Sequence, residues 1–425
     1  MKPEKDPKDE EATDPVTGDV IGNTAYSERF VLKILLKLAN LDSLKEDMLE
    51  TSFEDDLCTL WDMTAENDVV LFLQKHDVLK LIKFALPIIE SPRIIEIIVG
   101  IIGNMCCLKD VVKKLLAMED LLKVLLEYIK TDDSLILIQL LRLINTSIFL
   151  ALDDESISTW MGLFENIGYS EALYFILKNS SNKALVITAL ENFNSITCYC
   201  NIERTRTNFF TQFVTLEAIE SLCAAFTEII VTQRDMCEKE VFERVLVISL
   251  QIILNIVGFE SSPEIFSKCN EKVIKMIQDV MHYYEDKLVN QKEIDSDLVD
   301  VMDSTNTIIR ILVLNRQSEM ESYFTSCYSM WKALNTANKS HQNGDSDFED
   351  NSEELAQFSR QIKVPLCSLL CLYILECPES QLLPVLHTIG DDYDHIVNEM
   401  PNEQFRLRLT HRTSNFRTRL KDDVE

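Results

Sequence analysis

Glycine and proline are scarce, 9 and 10 in 425 residues. A chain built from strands and tight turns needs far more of both, so a sheet-dominated fold is excluded. Bases are also in short supply: 41 Lys and Arg stand against 70 Asp and Glu, a net charge of −29. A field of that sign repels nucleic acid and anionic bilayers, so neither is expected as a partner. No uninterrupted apolar run reaches the roughly 18 residues that a membrane span requires. The first residues, "MKPEKDPKDEEATDP", are charged and lack an apolar centre, so they do not read as a secretory leader.

Chemistry-bearing signatures are missing as well. GxGxxG, HExxH and GxSxG do not occur, nor does GxxxxGK followed by Ser or Thr. The six histidines show no ligand-like spacing. The twelve cysteines lie mostly in apolar helical runs, where a free thiol acts as a small hydrophobe in a reducing compartment. Cys367 and Cys371 share one helical face, but the surrounding leucines mark them as buried thiols rather than metal ligands. No enzyme activity, cofactor or metal is expected.

What remains is helix. From Tyr26 onward the apolar spacing is helical, as in "SERFVLKILLKLANL", where Phe30, Ile34, Leu35 and Leu38 share a face. Residues 1–25 read as a disordered acidic segment holding a short motif, "GDVIGNTAYS", that suits a cap over the first repeat. Helical repeats are expected over 26–335 and a flexible acidic loop over 336–355. Helices closing the array follow over 356–400, then a charged tail over 401–425. Within the loop, Ser346 precedes Asp347, Phe348, Glu349 and Asp350, the pattern of an acidophilic kinase site. The tail run "RLRLTHRTSNFRTRLK" reads as solvated or helix-capping.

One helix type recurs. "RIIEIIVGIIGNMCC" is apolar except for a stripe of Arg93, Glu96, Gly100 and Asn104, so it is sandwiched with one edge exposed. The design returns in "SLILIQLLRLINTS" with Asn145, "ALVITALENFNSIT" with Asn194 and "RVLVISLQIILNIVG" with Asn255. A poorer fifth copy, "STNTIIRILVLN", reaches Asn315. Successive asparagines lie 41, 49, 61 and 60 residues apart. Helical units at a period of about 40 or more mark armadillo and HEAT arrays, so the expected fold is all-α, an armadillo/HEAT-like helical solenoid. Gly100 and Gly103 then let a neighbouring helix approach closely.

The edges suggest partner binding. Asn104, Asn145, Asn194 and Asn255 would line one groove and hydrogen-bond the peptide groups of an extended partner. Arg93, Lys183 and Arg244 each precede an asparagine by 11 residues, a basic track that selects an acidic segment. The plainer alternative is that each asparagine serves its own helix end and each base pairs with a nearby acid. Trp61 reads either as an aromatic docking point or as core.

"GDVIGNTAYSERF", "LCTLWDMTAENDVVLFLQ" and "SPRIIEIIVGIIGNMCC" closely resemble the serum amyloid A-like protein family, over roughly the first 110 residues. The acidic stretch before Leu57 is shorter than is usual there, and the C-terminal third departs most. The resemblance implies an armadillo-type fold, a nuclear location, a role in cell proliferation and no enzyme activity. The expectation is a monomeric, non-enzymatic interaction scaffold with protein partners, in the nucleus with the cytoplasm as a second compartment, and not secreted. A regulatory or adaptor subunit of an enzyme or transport receptor is the alternative.

Overall fold

The structure, a computed structural model, describes residues 19–47, 50–151, 153–199, 209, 212–293, 295–342, 352–400 and 402–422. Among them there is helix and no strand, the all-α class that the composition predicts. Ser346 lies outside the described residues. The chain divides into two compact units, Met1–Ser156 and Ile157–Glu425.

In the first unit the helices are α1 (Glu28–Ala39), α2 (Leu41–Asp47), α3 (Thr51–Met63), α4 (Asn67–Lys75), α5 (Val78–Ala85), α6 (Pro92–Met105), α7 (Lys109–Leu116), α8 (Glu119–Glu127) and α9 (Ser134–Leu150). Their starts follow the capping rules. Ser27 accepts from the Phe30 amide, Ser91 from the Ile94 amide with Pro92 following, and Asp133 from the Leu135 and Ile136 amides. The largely apolar α6 packs between α3 and α9, while α1 lies on α5 and α7 on α9. Val99, Ile98 and Ile102 of α6 are wholly buried.

Part of the segment before α1 is folded. Residues from Asp19 onward fold back on the unit instead of continuing a disordered segment to residue 25. Ile21 is buried, and the Asn23 amide donates to Asp68 Oδ2 at 2.8 Å in the first turn of α4. Gly22 has φ +54°, and a Cβ there would stand 2.3 Å from the same carboxylate oxygen. Only glycine meets both demands. Asp19 in turn accepts from Ser27 Oγ at 2.6 Å and the Arg29 amide at 3.0 Å. Burial of one isoleucine, with its neighbouring amides satisfied, outweighs the polar composition around it.

α10 (Asp154–Ile167) crosses the division, and the second unit continues with α11 (Tyr169–Asn179), α12 (Lys183–Thr197), α13 (Leu216–Thr227), α14 (Lys239–Val257), α15 (Ser262–Ser267), α16 (Asn270–Val289), α17 (Asp297–Leu312), α18 (Glu321–Gln342), α19 (Ser352–Glu376), α20 (Glu379–Ile389), α21 (Asp392–Asn398) and α22 (Glu403–Asp422). Two series of contacts run through it. α12 packs on α14, α14 on α17 and α17 on α19; alongside, α11 packs on α13, α13 on α16 and α16 on α18. A buried cation ties the two series together: Lys287 of α16 meets Glu243 of α14 at 2.6 Å and also Asp295, which neutralise it.

The fifth striped copy does not run to its asparagine. α17 stops at Leu312, Val313 turns to φ +53°, and Asn315 sits buried in a 3-10 turn beyond the helix. The Gln357–Glu376 stretch of α19 has the length and mean hydropathy, 1.3, of a membrane span, although Arg360 and Lys363 interrupt it. Burial of 61% of its most apolar window inside the protein is what a core helix shows. The arginine-rich run falls in α22, where Arg412 Nε and Nη2 donate to the carbonyls of Ile374 and Cys377 at the end of α19.

Candidate functional site

The striped edges are built the same way in both units. Asn104 of α6 donates through Nδ2 to Thr64 Oγ1 at 3.0 Å, and the Thr64 hydroxyl donates to the carbonyl of Trp61. Asn255 of α14 donates to Thr197 Oγ1 at 3.2 Å, and that hydroxyl donates to the carbonyl of Asn194. In each case the asparagine of one striped helix reaches a threonine at the end of the preceding helix in its series. The device joins neighbours and satisfies carbonyls that a helix end otherwise leaves open. Asn104, Asn145, Asn194 and Asn255 are all half-buried. Asn194 differs in that its Oδ1 is buried with no hydrogen-bond partner among the described residues. Asn104 and Asn145 lie in the first unit, Asn194 and Asn255 in the second.

The bases that accompany the asparagines have local partners. Arg93 donates to Glu96 Oε2 at 2.7 Å, lies 3.7 Å from Glu54 Oε1 and touches the Cys58 sulfur. Arg244 reaches across to Glu191 of α12 at 3.1 Å. Lys183 donates to the Met236 carbonyl at 2.5 Å. Carboxylates therefore offset the positive charge at Arg93 and Arg244.

Trp61 is half-buried, and its indole occupies the space a side chain would take at position 100: a Cβ on Gly100 would lie 2.3 Å from Cε2. A Cβ on Gly103 would lie 3.6 Å from Leu143 Cβ of α9. The two glycines admit different neighbours, a tryptophan on one side and a helix backbone on the other.

The edge of α9 carries what the asparagine pattern overlooks. Leu135, Arg142 and Phe149 recur every seven residues, nearly two turns, and so share one line on the helix. All three are exposed, Phe149 by 73%, and Arg142 has no ion pair among the described residues. The spacing is visible in the sequence, but Leu135 and Phe149 there pass for core residues.

The two thiols that share a face of α19 are buried. Burial pushes Cys371 up to about 12, and burial together with the hydrogen bond it donates to Glu399 pushes Cys367 up strongly. A reactive thiol needs the opposite shift. Among the described residues no group of three His, Cys, Asp or Glu is placed to hold a metal ion.

No family model matches the chain. It is 30% identical over 193 residues to Protein saal1 of Danio rerio, an alignment covering 44% of this chain and 40% of that one. To Protein SAAL1 of Homo sapiens it is 30% identical over 182 residues, 40% of this chain and 38% of the human protein. To the Mus musculus protein of the same name it is 29% identical over 182 residues, with the same coverage. The chain thus spans about two-fifths of the length of the curated relatives it matches, and their shared name is that of the family whose motifs it resembles.

Proposed function

We propose that this chain is a non-enzymatic protein-interaction scaffold of the serum amyloid A-like family, an armadillo-like solenoid that holds protein partners along the edges of its striped helices. The observation that carries the reading is the serial packing of helices, α3–α6–α9 in one unit and α12–α14–α17–α19 in the other. Repeat arrays of this kind present extended surfaces rather than enclosed pockets. The similarity to the zebrafish, human and mouse proteins supports the family assignment; a nuclear location and a role in cell proliferation are part of the proposal and rest on the motif resemblance alone. The binding residues of the first unit are Trp61, Arg142 and Phe149 rather than Asn104, whose side chain joins adjacent helices.

The test is affinity capture from nuclear extract with the full chain, read by mass spectrometry. Arg142→Glu combined with Phe149→Asp alters only exposed side chains, so it removes specific partners and leaves the melting temperature unchanged. Asn104→Ala does the reverse: it keeps the partners and costs about 1 kcal/mol of stability for the lost interhelical bond. An edge variant that keeps every partner overturns the assignment of this face.

A further inference from the structure

The last helix carries charge opposite to the rest of the chain. Within α22, Arg406, Arg408, Arg412, Arg417, Arg419 and Lys421 outnumber Glu403 and Asp422, 6 − 2 = +4, and the remainder of the molecule therefore carries −29 − 4 = −33. Leu409 and Thr413 face inward, with the Thr413 hydroxyl 2.7 Å from that of Tyr393, and Arg412 is engaged by the end of α19. Outward from these anchors lies a groove of about 740 Å³ lined by Leu375, Leu407, Arg408, Thr410, His411 and Ser414. Its apolar wall is two leucines, Leu407 being 64% exposed. Its polar rim is the Arg408 guanidinium and the His411 imidazole, and no carboxylate among the described residues lines it. Arg408 has no ion pair among the described residues.

We propose that this groove docks an acidic segment of a partner protein, with one leucine, isoleucine or phenylalanine side chain seated against Leu375 and Leu407 and carboxylates on Arg408 and His411. Charge complementarity selects the sign. The leucine wall selects a peptide over a nucleic acid, which offers no aliphatic side chain to bury. A long polyanion or an anionic bilayer also meets the −33 of the surrounding molecule along its length, whereas a short peptide with two or three carboxylates meets mainly the rim.

The experiment is fluorescence anisotropy with the full chain and a labelled short peptide in which glutamates flank a leucine and a phenylalanine. The peptide binds the native chain, and Arg408→Glu and Leu407→Asp each weaken it by about tenfold or more. Circular dichroism and melting temperature stay unchanged, because both side chains are exposed. The same peptide with lysine for glutamate does not bind. The proposal is overturned if the native chain does not bind the acidic peptide, if the lysine peptide binds equally, or if both variants bind like the native chain. Tighter binding of phosphatidylserine vesicles or poly-uridine RNA, lost in the same variants, overturns it in favour of those ligands. None of these outcomes depends on the striped edges, so failure here leaves the scaffold reading intact.

Discussion

At position 100 a side chain is absent because Trp61, 39 residues earlier, fills its place. Gly100→Ala forces the indole or the α3–α6 spacing to shift, and overpacking of this kind costs about 1–3 kcal/mol. Trp61→Ala vacates the space, so in the double variant the alanine at 100 adds little. The two losses, measured by urea unfolding, are therefore strongly non-additive. Additive losses mean that the ring and the glycine do not compete for one space. Periodicity in the sequence identifies Gly100 as a point of close approach, but a helical wheel holds no record of what arrives from another helix. The same limit applies to Asn104 and Asn255. Their places on the edge follow from spacing, while Thr64 and Thr197 lie 40 and 58 residues away and become partners only when the helices stack.

Among the elements, α19 and α22 depend on each other through one side chain. Arg412 closes the open carbonyls at the end of α19 with a guanidinium from α22. Arg412→Ala removes two charge-assisted bonds and loosens α22 by about 2 kcal/mol, read as faster amide exchange across α22 and earlier tryptic cleavage within it. Unchanged exchange would mean that Leu409 and Thr413 suffice to hold the helix. The sequence marks this run as basic and capping, but not that it caps a helix more than 30 residues upstream. Recurrence serves better for the striped helices: α6, α9, α12 and α14 all form where the pattern places them. The fifth copy fails at Val313, a β-branched residue in the left-handed region, which no propensity anticipates. The motif before α1 is ordered for a comparable reason, since Asp68, its anchor, lies 45 residues from Asn23.

Across the whole molecule, burial keeps most thiols protonated. Cys106, Cys223, Cys327 and Cys371 are each pushed up to about 12 from an ordinary 9.0, with burial the largest cause. A thiol raised in the folded state favours folding fully below pH 9.0, and that advantage is lost as pH climbs from there toward 12, because the unfolded chain ionises first. The melting temperature therefore falls between pH 8 and pH 10.5, and replacing Cys106 and Cys371 with alanine flattens the fall. At neutral pH iodoacetamide labels the exposed Cys107 and spares these four until the chain unfolds, which peptide mapping reads directly. Labelling of Cys371 in the native chain at the rate of Cys107 would show that its helix opens. The serial packing inside each unit also bears on how the chain acquires its structure. Each striped helix meets one made only a few helices earlier, so few contacts wait on distant sequence and the loops that must close are short. Folding can start at any stacked pair and spread to its neighbours. A ribosome delivering the chain from its amino end supplies α3, α6 and α9 in the order in which they stack, so the apolar faces of α6 need not stay bare while the rest is being made.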